Sequence, residues 1–115
     1  MTTTTIERVR TGDIAILRIS GDVTSASDAE LTDGFGAAID DGARAVALDF
    51  SAMEYMNSGG IGLLVTLLVR AQRAGVRLLA TGLSDHYRQI LALTRLDEAI
   101  EILPDEAAAK AAVGA

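Results

Sequence analysis

Three features of this 115-residue sequence predict an α/β domain on a mixed, mostly parallel sheet of about five strands, the first antiparallel, with about four helices. Strand-like and helix-like segments alternate from residue 13 onward, the order that βαβ units require. The segment Ala45 to Phe50 is apolar on both faces, as a parallel strand covered on two sides must be. The turn Thr11-Gly12-Asp13 joins the first two strand-like runs into a hairpin, with Gly12 free to take positive φ, which makes the first strand antiparallel. The length suits one domain spanning residues 1–115.

Ile6 to Arg10 and Ile14 to Ile19 read as strands; in the second, Ile14, Ile16 and Arg18 alternate with Ala15, Leu17 and Ile19. Gly21-Asp22 ends that strand, and Ser25 or Ser27 caps a helix to about Asp41, with Leu31, Phe35, Ala38 and Ile39 at helical spacing. Gly34 and Gly36 weaken this helix and let it lie close to the sheet, and Gly42 stops it. After the third strand, Ser51 to Asn57 is predicted as a loop leading into a long helix, Ser58 to Ala74, closed by Gly75. Its core stripe is predicted from Ile61, Leu64, Val65 and Leu68, widened by Leu67 and Ala71. Gly62, Thr66, Val69, Arg70 and Arg73 fall towards the other side. Val76 to Ala80 is a fourth strand, Ser84 opens a helix to about Arg95, and Ile100 to Leu103 is a short fifth strand. Pro104 takes a permitted first-turn position of a final Ala-rich helix.

Composition removes several classes of function. Half of the residues are apolar and only 3% aromatic, so the core is aliphatic and no stacking platform for bases exists. A net charge of −6 repels phosphate backbones and argues against direct nucleic-acid binding. With no cysteine and a single histidine, His86, neither a disulfide nor a zinc site is expected, and no cofactor. Glu98, Glu101, Asp105 and Glu106 read as scattered solvated acids without the geometry of a paired-carboxylate site. Met1 to Thr5 lacks the pattern of a signal peptide, and the apolar run Ile61 to Val69 is far shorter than the ~20 residues of a membrane span, so a cytoplasmic location is expected.

The most informative stretch is Asp49-Phe50-Ser51-Ala52-Met53-Glu54-Tyr55-Met56-Asn57-Ser58-Gly59-Gly60-Ile61-Gly62. A buried strand ends, the chain turns, and Ser58 stands at the start of the longest helix, where Ser and Asn are both good caps. Gly59, Gly60 and Gly62 crowd the first turn, although each glycine in a helix interior costs about 1 kcal/mol relative to alanine. Two reasons compete: the helix start presses against the sheet, or a partner or phosphate approaches bare backbone N–H groups. Val69 has two readings as well. It is a lone surface apolar residue, or a partner contact beside Gly62 and Thr66, rimmed by Arg70 and Arg73. Met53 is placed at an interface and Met56 in the core.

Strand, loop and N-S-G-G-I-G opening a helix resemble the signature of the STAS family, the anti-sigma factor antagonist domain. Gly75-Val76-Arg77-Leu78-Leu79 and the run LALTRLDEAIEIL from Leu91 to Leu103 resemble its fourth strand, third helix and closing strand, so the likeness covers essentially the whole chain in order. The resemblance implies a STAS-like fold with a phosphorylatable serine at Ser58 on an exposed turn. It also implies a partner surface around Asp22, Thr24, Asn57, Ser58, Gly59 and Gly60, to which helical spacing adds Gly62, Thr66 and Val69, and the interface reading adds Met53. The implied partner is an anti-sigma factor that is also a serine kinase, with a serine phosphatase as a further candidate. The chain itself is then a substrate that releases a sigma factor by binding, not an enzyme. Two positions depart from the family pattern: Asn57 stands where an Asp is common, and Thr24 replaces an acidic residue. They support an alternative, a STAS scaffold in a stressosome-like or transporter-associated complex without phosphate control.

Two rivals from other classes fare worse. A serine hydrolase would need G-x-S-x-G where this chain has M-N-S-G-G, and His86 is its sole candidate base. Nucleotide binding would need G-x-G-x-x-G or a Walker loop, and N-S-G-G-I-G is neither.

Overall fold

The computed structural model describes residues 3–114; Met1, Thr2 and Ala115 lie outside the described residues. Its elements in chain order are β1 (Thr5–Thr11), β2 (Ile14–Val23), a 3-10 turn (Ser25–Ser27), α1 (Asp28–Asp40), β3 (Ala45–Met56) and α2 (Ser58–Ala74). There follow β4 (Arg77–Thr81), α3 (Asp85–Leu93), a second 3-10 turn (Leu96–Glu98), β5 (Glu101–Leu103) and α4 (Glu106–Val113). The five strands lie side by side in sequence order, β1 antiparallel to β2 and the rest parallel. The predicted mixed sheet with four helices is therefore what forms.

Period-two alternation sorts the strand side chains between two apolar layers. Ala15, Leu17 and Ile19 of β2, Val46, Leu48 and Phe50 of β3, and Leu78 and Ala80 of β4 face one way. They meet Leu31, Phe35 and Ala38 of α1, Leu64, Leu67 and Ala71 of α2, and Leu91 of α3. Parallel neighbours joined in order by right-handed crossovers put their connecting helices on one face, which accounts for this three-helix layer. Ile14, Ile16, Ala45, Ala47 and Leu79 face the other way and are covered by Ala109 of α4, with Val9, Leu103 and Val113 at the margin. The helix face is deep and aliphatic, and the α4 face is shallow.

The structure corrects several boundaries. β2 does not stop at Gly21-Asp22, and Ser51 to Met56 is not a loop: the two strands continue together, with Gly21 opposite Met53, Asp22 opposite Tyr55 and Val23 opposite Met56. Register irregularities between Arg18 and Ser20 and between Gly21 and Asp22 admit the extra residues. Pairing overrides the turn propensity of Gly21, Asp22 and Ser51 because each strand satisfies the backbone of the other. α1 starts one turn late: Thr24, not Ser25 or Ser27, caps the 3-10 turn that precedes it. α3 stops at Leu93, and Arg95 takes a left-handed φ of 61° at the following turn. Pro104 lies outside α4; Asp105 caps that helix, its carboxylate accepting from the Ala108 N–H at 2.9 Å.

Candidate partner-docking site

Ser58 is delivered by the extended β2–β3 ladder. The last pair, Val23 and Met56, is followed by Asn57, whose N–H donates to the Val23 carbonyl at 3.3 Å, so the chain enters α2 directly from the end of the ladder. Asn57 is the N-cap: its backbone is extended, and its Oδ1 accepts from the Gly60 N–H at 3.1 Å. The Ile61 N–H is taken by the Asn57 carbonyl at 3.1 Å. A phosphate at this helix mouth would therefore meet the N–H groups of Ser58 and Gly59, because that of Gly60 is already taken by Asn57. Ser58 itself is exposed at the first position of the helix. From the far side, Tyr87 of α3 steadies the approach, its Oη accepting from the Met56 N–H at 2.9 Å.

The three glycines separate into two kinds: packing accounts for Gly59 and Gly60 and does not account for Gly62. A Cβ on Gly60 would stand 2.4 Å from the Val23 carbonyl oxygen and 2.7 Å from Met56 Cγ. One on Gly59 would stand 2.8 Å from the Ser25 backbone nitrogen. These two let the helix start press against the end of β2 and the turn after it. A Cβ on Gly62 would meet nothing within 4 Å. Its absence of side chain serves no packing, and it opens the surface beside Ser58.

α2 buries Gly60, Leu64, Leu67 and Ala71. Val65 is not part of this stripe, contrary to expectation. It is 42% exposed and stands beside Val69, which is 40% exposed. At about 100° per residue, Ser58, Gly62, Val65, Thr66 and Val69 fall within one quadrant or so of the helix, and all five are exposed. Sequence spacing misplaces Val65 because the apolar arc of α2 is wider than the surface the sheet can cover. Two exposed valines, about one and two turns beyond an open glycine and in line with Ser58, form a compact apolar and small-residue strip.

The family described as Mlab, STAS domain matches residues 6–104. The chain belongs to the STAS domain family. Among solved structures, the chain is similar to an anti-sigma factor antagonist from Mycobacterium paratuberculosis, with 24% identity, coverage of 100% of this chain and 96% of that one, and a TM-score of 0.76. It is also similar to the anti-sigma factor antagonist SpoIIAA in its unphosphorylated form, with 17% identity, coverage of 98% and 100%, and a TM-score of 0.74. The phosphorylated form of the Bacillus cell fate determinant SpoIIAA matches with 18% identity, coverage of 96% and 99%, and a TM-score of 0.71. These likenesses establish the fold of anti-sigma factor antagonists.

In this STAS domain Thr24 and Asp22 border the helix mouth through Val23 and Ser25. Thr24 is committed locally: its hydroxyl accepts from the Ala26 N–H at 3.1 Å, and its own N–H donates to Ser27 Oγ at 3.0 Å. The Thr4 and Ser27 hydroxyls bond each other, one donating to the other, and the remaining proton goes to the Asp22 carbonyl that both oxygens face. Thr4 and Ser27 are buried, so this hydroxyl network ties the N-terminal segment to the turn that backs Gly59. Asp22 and Thr24 line a small cavity of about 140 Å³ with Thr3, Ala26, Ser27 and Glu30. Met53 is half-buried and packs against the helix-side core; it lines a separate cleft with Phe50, Tyr87 and Gly82 rather than joining the α2 strip. His86 is exposed and packs edge-on against Tyr87, ring centroids 5.0 Å apart. Sequence spacing reads Ser25 as a helix cap, Val65 as core and Tyr87 as part of the packing stripe of its helix, and assigns none of them to this site. The seven-residue step from Ser58 was the available signal for Val65; the other two are set by long-range packing.

The far face of the STAS domain holds a charged cluster that sequence spacing does not reveal. Arg18 of β2 grips Glu106 through two bonds of 2.9 Å and reaches Glu7 at 2.9 Å. Arg18, and after it Asp49, hold the Glu106 carboxyl down at about 2. Asp49 is almost fully buried; loss of hydration, and then the neighbouring Glu106 carboxylate, push its own carboxyl up from the usual range. Glu101 is held below its usual range by Arg77, whose guanidinium it meets at 2.6 and 2.9 Å. Glu101 and Glu106 are therefore not free solvated acids. This cluster fastens α4 and β5 and lies on the α4 face, away from the Ser58 strip. Among the described residues no group of metal-ligating side chains occurs and no helix is long and apolar enough to cross a membrane.

Proposed function

We propose that this STAS domain is an anti-sigma factor antagonist, a binding module whose docking strip is switched off by phosphorylation of Ser58. The observation that carries the reading is the exposed Ser58 hydroxyl at the head of a strip of Gly62, Val65, Thr66 and Val69, where Gly62 has no packing role. In the unphosphorylated state the strip takes up an anti-sigma factor that is also a serine kinase, which thereby gives up its sigma factor. The kinase supplies ATP and Mg2+; this chain supplies the hydroxyl. Asp22, Thr24, Asn57, Gly59 and Gly60 shape the mouth around it, and Met53 contributes from the neighbouring cleft. A serine phosphatase resets the switch. The module acts in the cytoplasm, as a single domain.

Phosphoserine adds about −1.5 to −2 charges. The phosphate would rest over the positive end of α2, near the free Ser58 and Gly59 amides, so the fold need not rearrange. The likeness of the chain to SpoIIAA in both its unphosphorylated and phosphorylated forms supports this. A charge placed in a desolvated contact costs several kcal/mol, and about 3 kcal/mol already weakens binding roughly a hundredfold.

The test is incubation with serine kinases encoded near the gene, with ATP, followed by intact-mass measurement. One phosphate on the wild type and none on Ser58→Ala is expected, with Ser58→Asp losing about a hundredfold in affinity for the same kinase. No phosphate, together with tight binding indifferent to Ser58→Asp, would replace the switch with the scaffold reading that the neutral Asn57 and the capping role of Thr24 favour.

A further inference from the structure

The strip that begins at Ser58 does not end at Val69. Arg73 lies one helical turn further along the same side of α2 and is exposed, and Arg70 flanks it towards α1. Ser58 and Arg73 are separated by about 22 Å along the helix axis, at about 1.5 Å per residue. Together with Ile39 and Ala74 the two arginines line an open groove. Arg70 is held in place: its guanidinium carbon stands 5.7 Å from the centre of the buried Phe35 ring, a cation–π distance.

The arginines of this chain differ in how they are used. Arg10, Arg18 and Arg77 are taken up by Asp41, by Glu7 and Glu106, and by Glu101 respectively. Among the described residues Arg70 and Arg73, like Arg8, Arg44, Arg88 and Arg95, are in no ion pair; what sets these two apart is that they line one groove, with Arg70 seated on the Phe35 ring. Asp41, at the nearby end of α1, is drawn off by Arg10 at 2.9 Å. Two unpaired guanidinium groups, one preset by an aromatic ring, are a fork for carboxylates.

We propose that the Arg70–Arg73 groove is a second anchor of the docking strip, taking an acidic segment of the same protein partner while Val65 and Val69 take its apolar side chains. This rests on the strip being a docking surface, as proposed above. The two ends then do different work. Charge at Ser58 changes with phosphorylation, whereas charge at Arg73 stays fixed and sets orientation and encounter rate. Their separation exceeds the screening length of about 8–10 Å at ordinary salt, so the anchors act almost independently.

The experiment is NMR titration of the full chain, isotope-labelled, with acetylated hexaglutamate amide at low salt, hexaserine serving as the neutral control. Saturable shifts are expected at Ile39, at the amides of residues 69–75 and at the Nε–H groups of Arg70 and Arg73. Arg73→Glu should weaken the peptide at least about tenfold, Arg73→Lys only a few-fold, and added salt should weaken it steeply. Arg73 is exposed, so neither variant threatens the fold. Shifts spread evenly over Arg8, Arg44, Arg88 and Arg95, or unchanged by Arg73→Glu, would overturn the proposal. So would binding to anionic lipid vesicles, lost in Arg73→Glu, with no response to hexaglutamate. Ser58→Asp is expected to leave hexaglutamate binding within about twofold. Failure of the phosphate switch with this binding intact therefore counts against Ser58 alone, and the reverse against the arginine groove alone.

Discussion

Gly60 and Gly62 stand two residues apart in one helix and meet opposite surroundings. At Gly60 a methyl group has no room against the Val23 carbonyl and Met56, so Gly60→Ala is expected to lower the unfolding free energy by about 1–3 kcal/mol in urea titration. At Gly62 a methyl meets only solvent, and Gly62→Ala is expected to raise stability by up to about 1 kcal/mol through helix propensity while weakening partner affinity. Higher stability with unchanged affinity would remove Gly62 from the docking strip. Asn57 carries a separate, local role. Loss of its cap in Asn57→Ala is expected to cost about 1 kcal/mol. Asn57→Asp keeps the acceptor and adds a favourable charge at the helix start, worth about 0.3–1 kcal/mol by thermal unfolding.

At the scale of elements, α4 is tied to the sheet by a titratable latch. Glu106 ionises far more readily in the folded chain than its ordinary value, because Arg18 grips it. Its contribution to stability is complete above the usual carboxylate range and drains away as pH falls through that range towards about 2. Asp49 behaves with the opposite sign. Burial raises its folded value, so its contribution is present below its ordinary value and is lost as pH rises through the raised one. Urea midpoints measured from neutral pH down to about pH 3 should show this directly. Glu106→Gln is expected to flatten the acid limb. Asp49→Asn keeps the acceptor for the Ser51 N–H, 3.1 Å away, and is expected to raise the neutral-pH midpoint and to steepen the net fall towards acid, because the opposing Asp49 contribution is gone. A lower neutral midpoint in Asp49→Asn would mean that burial is not the governing influence on that carboxyl.

Across the whole molecule, one sheet supports two unequal layers, and the thinner one depends on a single short helix. Ile14, Ile16, Ala45, Ala47 and Leu79 are buried on the α4 side. Removal of residues 104–115 is expected to bare this contiguous apolar face and to leave Arg18 and Asp49 without Glu106. Concentration-dependent association in size-exclusion chromatography, with increased binding of a hydrophobic dye, is the expected outcome. A truncated chain that stays monomeric and dye-silent would show that the sheet does not need this cover. The proposed docking strip lies on α2 in the other layer, so this defect and the proposed switch are expected to be separable.

Local chemistry determined much of this protein from sequence alone. Alternation along β2 and β3 sorts side chains between two layers because a strand has period two wherever it lies. Asn57 and Ser84 cap helices because the bond runs only three residues along the chain. The same locality made Ser58 at a glycine-lined helix start readable, with the family it belongs to. Tertiary structure alone decided the rest. It extended β2 and β3 past their turn residues, because paired backbones outweigh single-residue propensity. It left Val65 exposed, because the sheet covers only part of the apolar arc of α2. It separated Gly60 from Gly62, gathered Arg18, Asp49 and Glu106, and left Arg70 and Arg73 unpaired. Each of those outcomes depends on which distant residue arrives within a few ångströms, and such proximity has no signature in the spacing of neighbours along the chain.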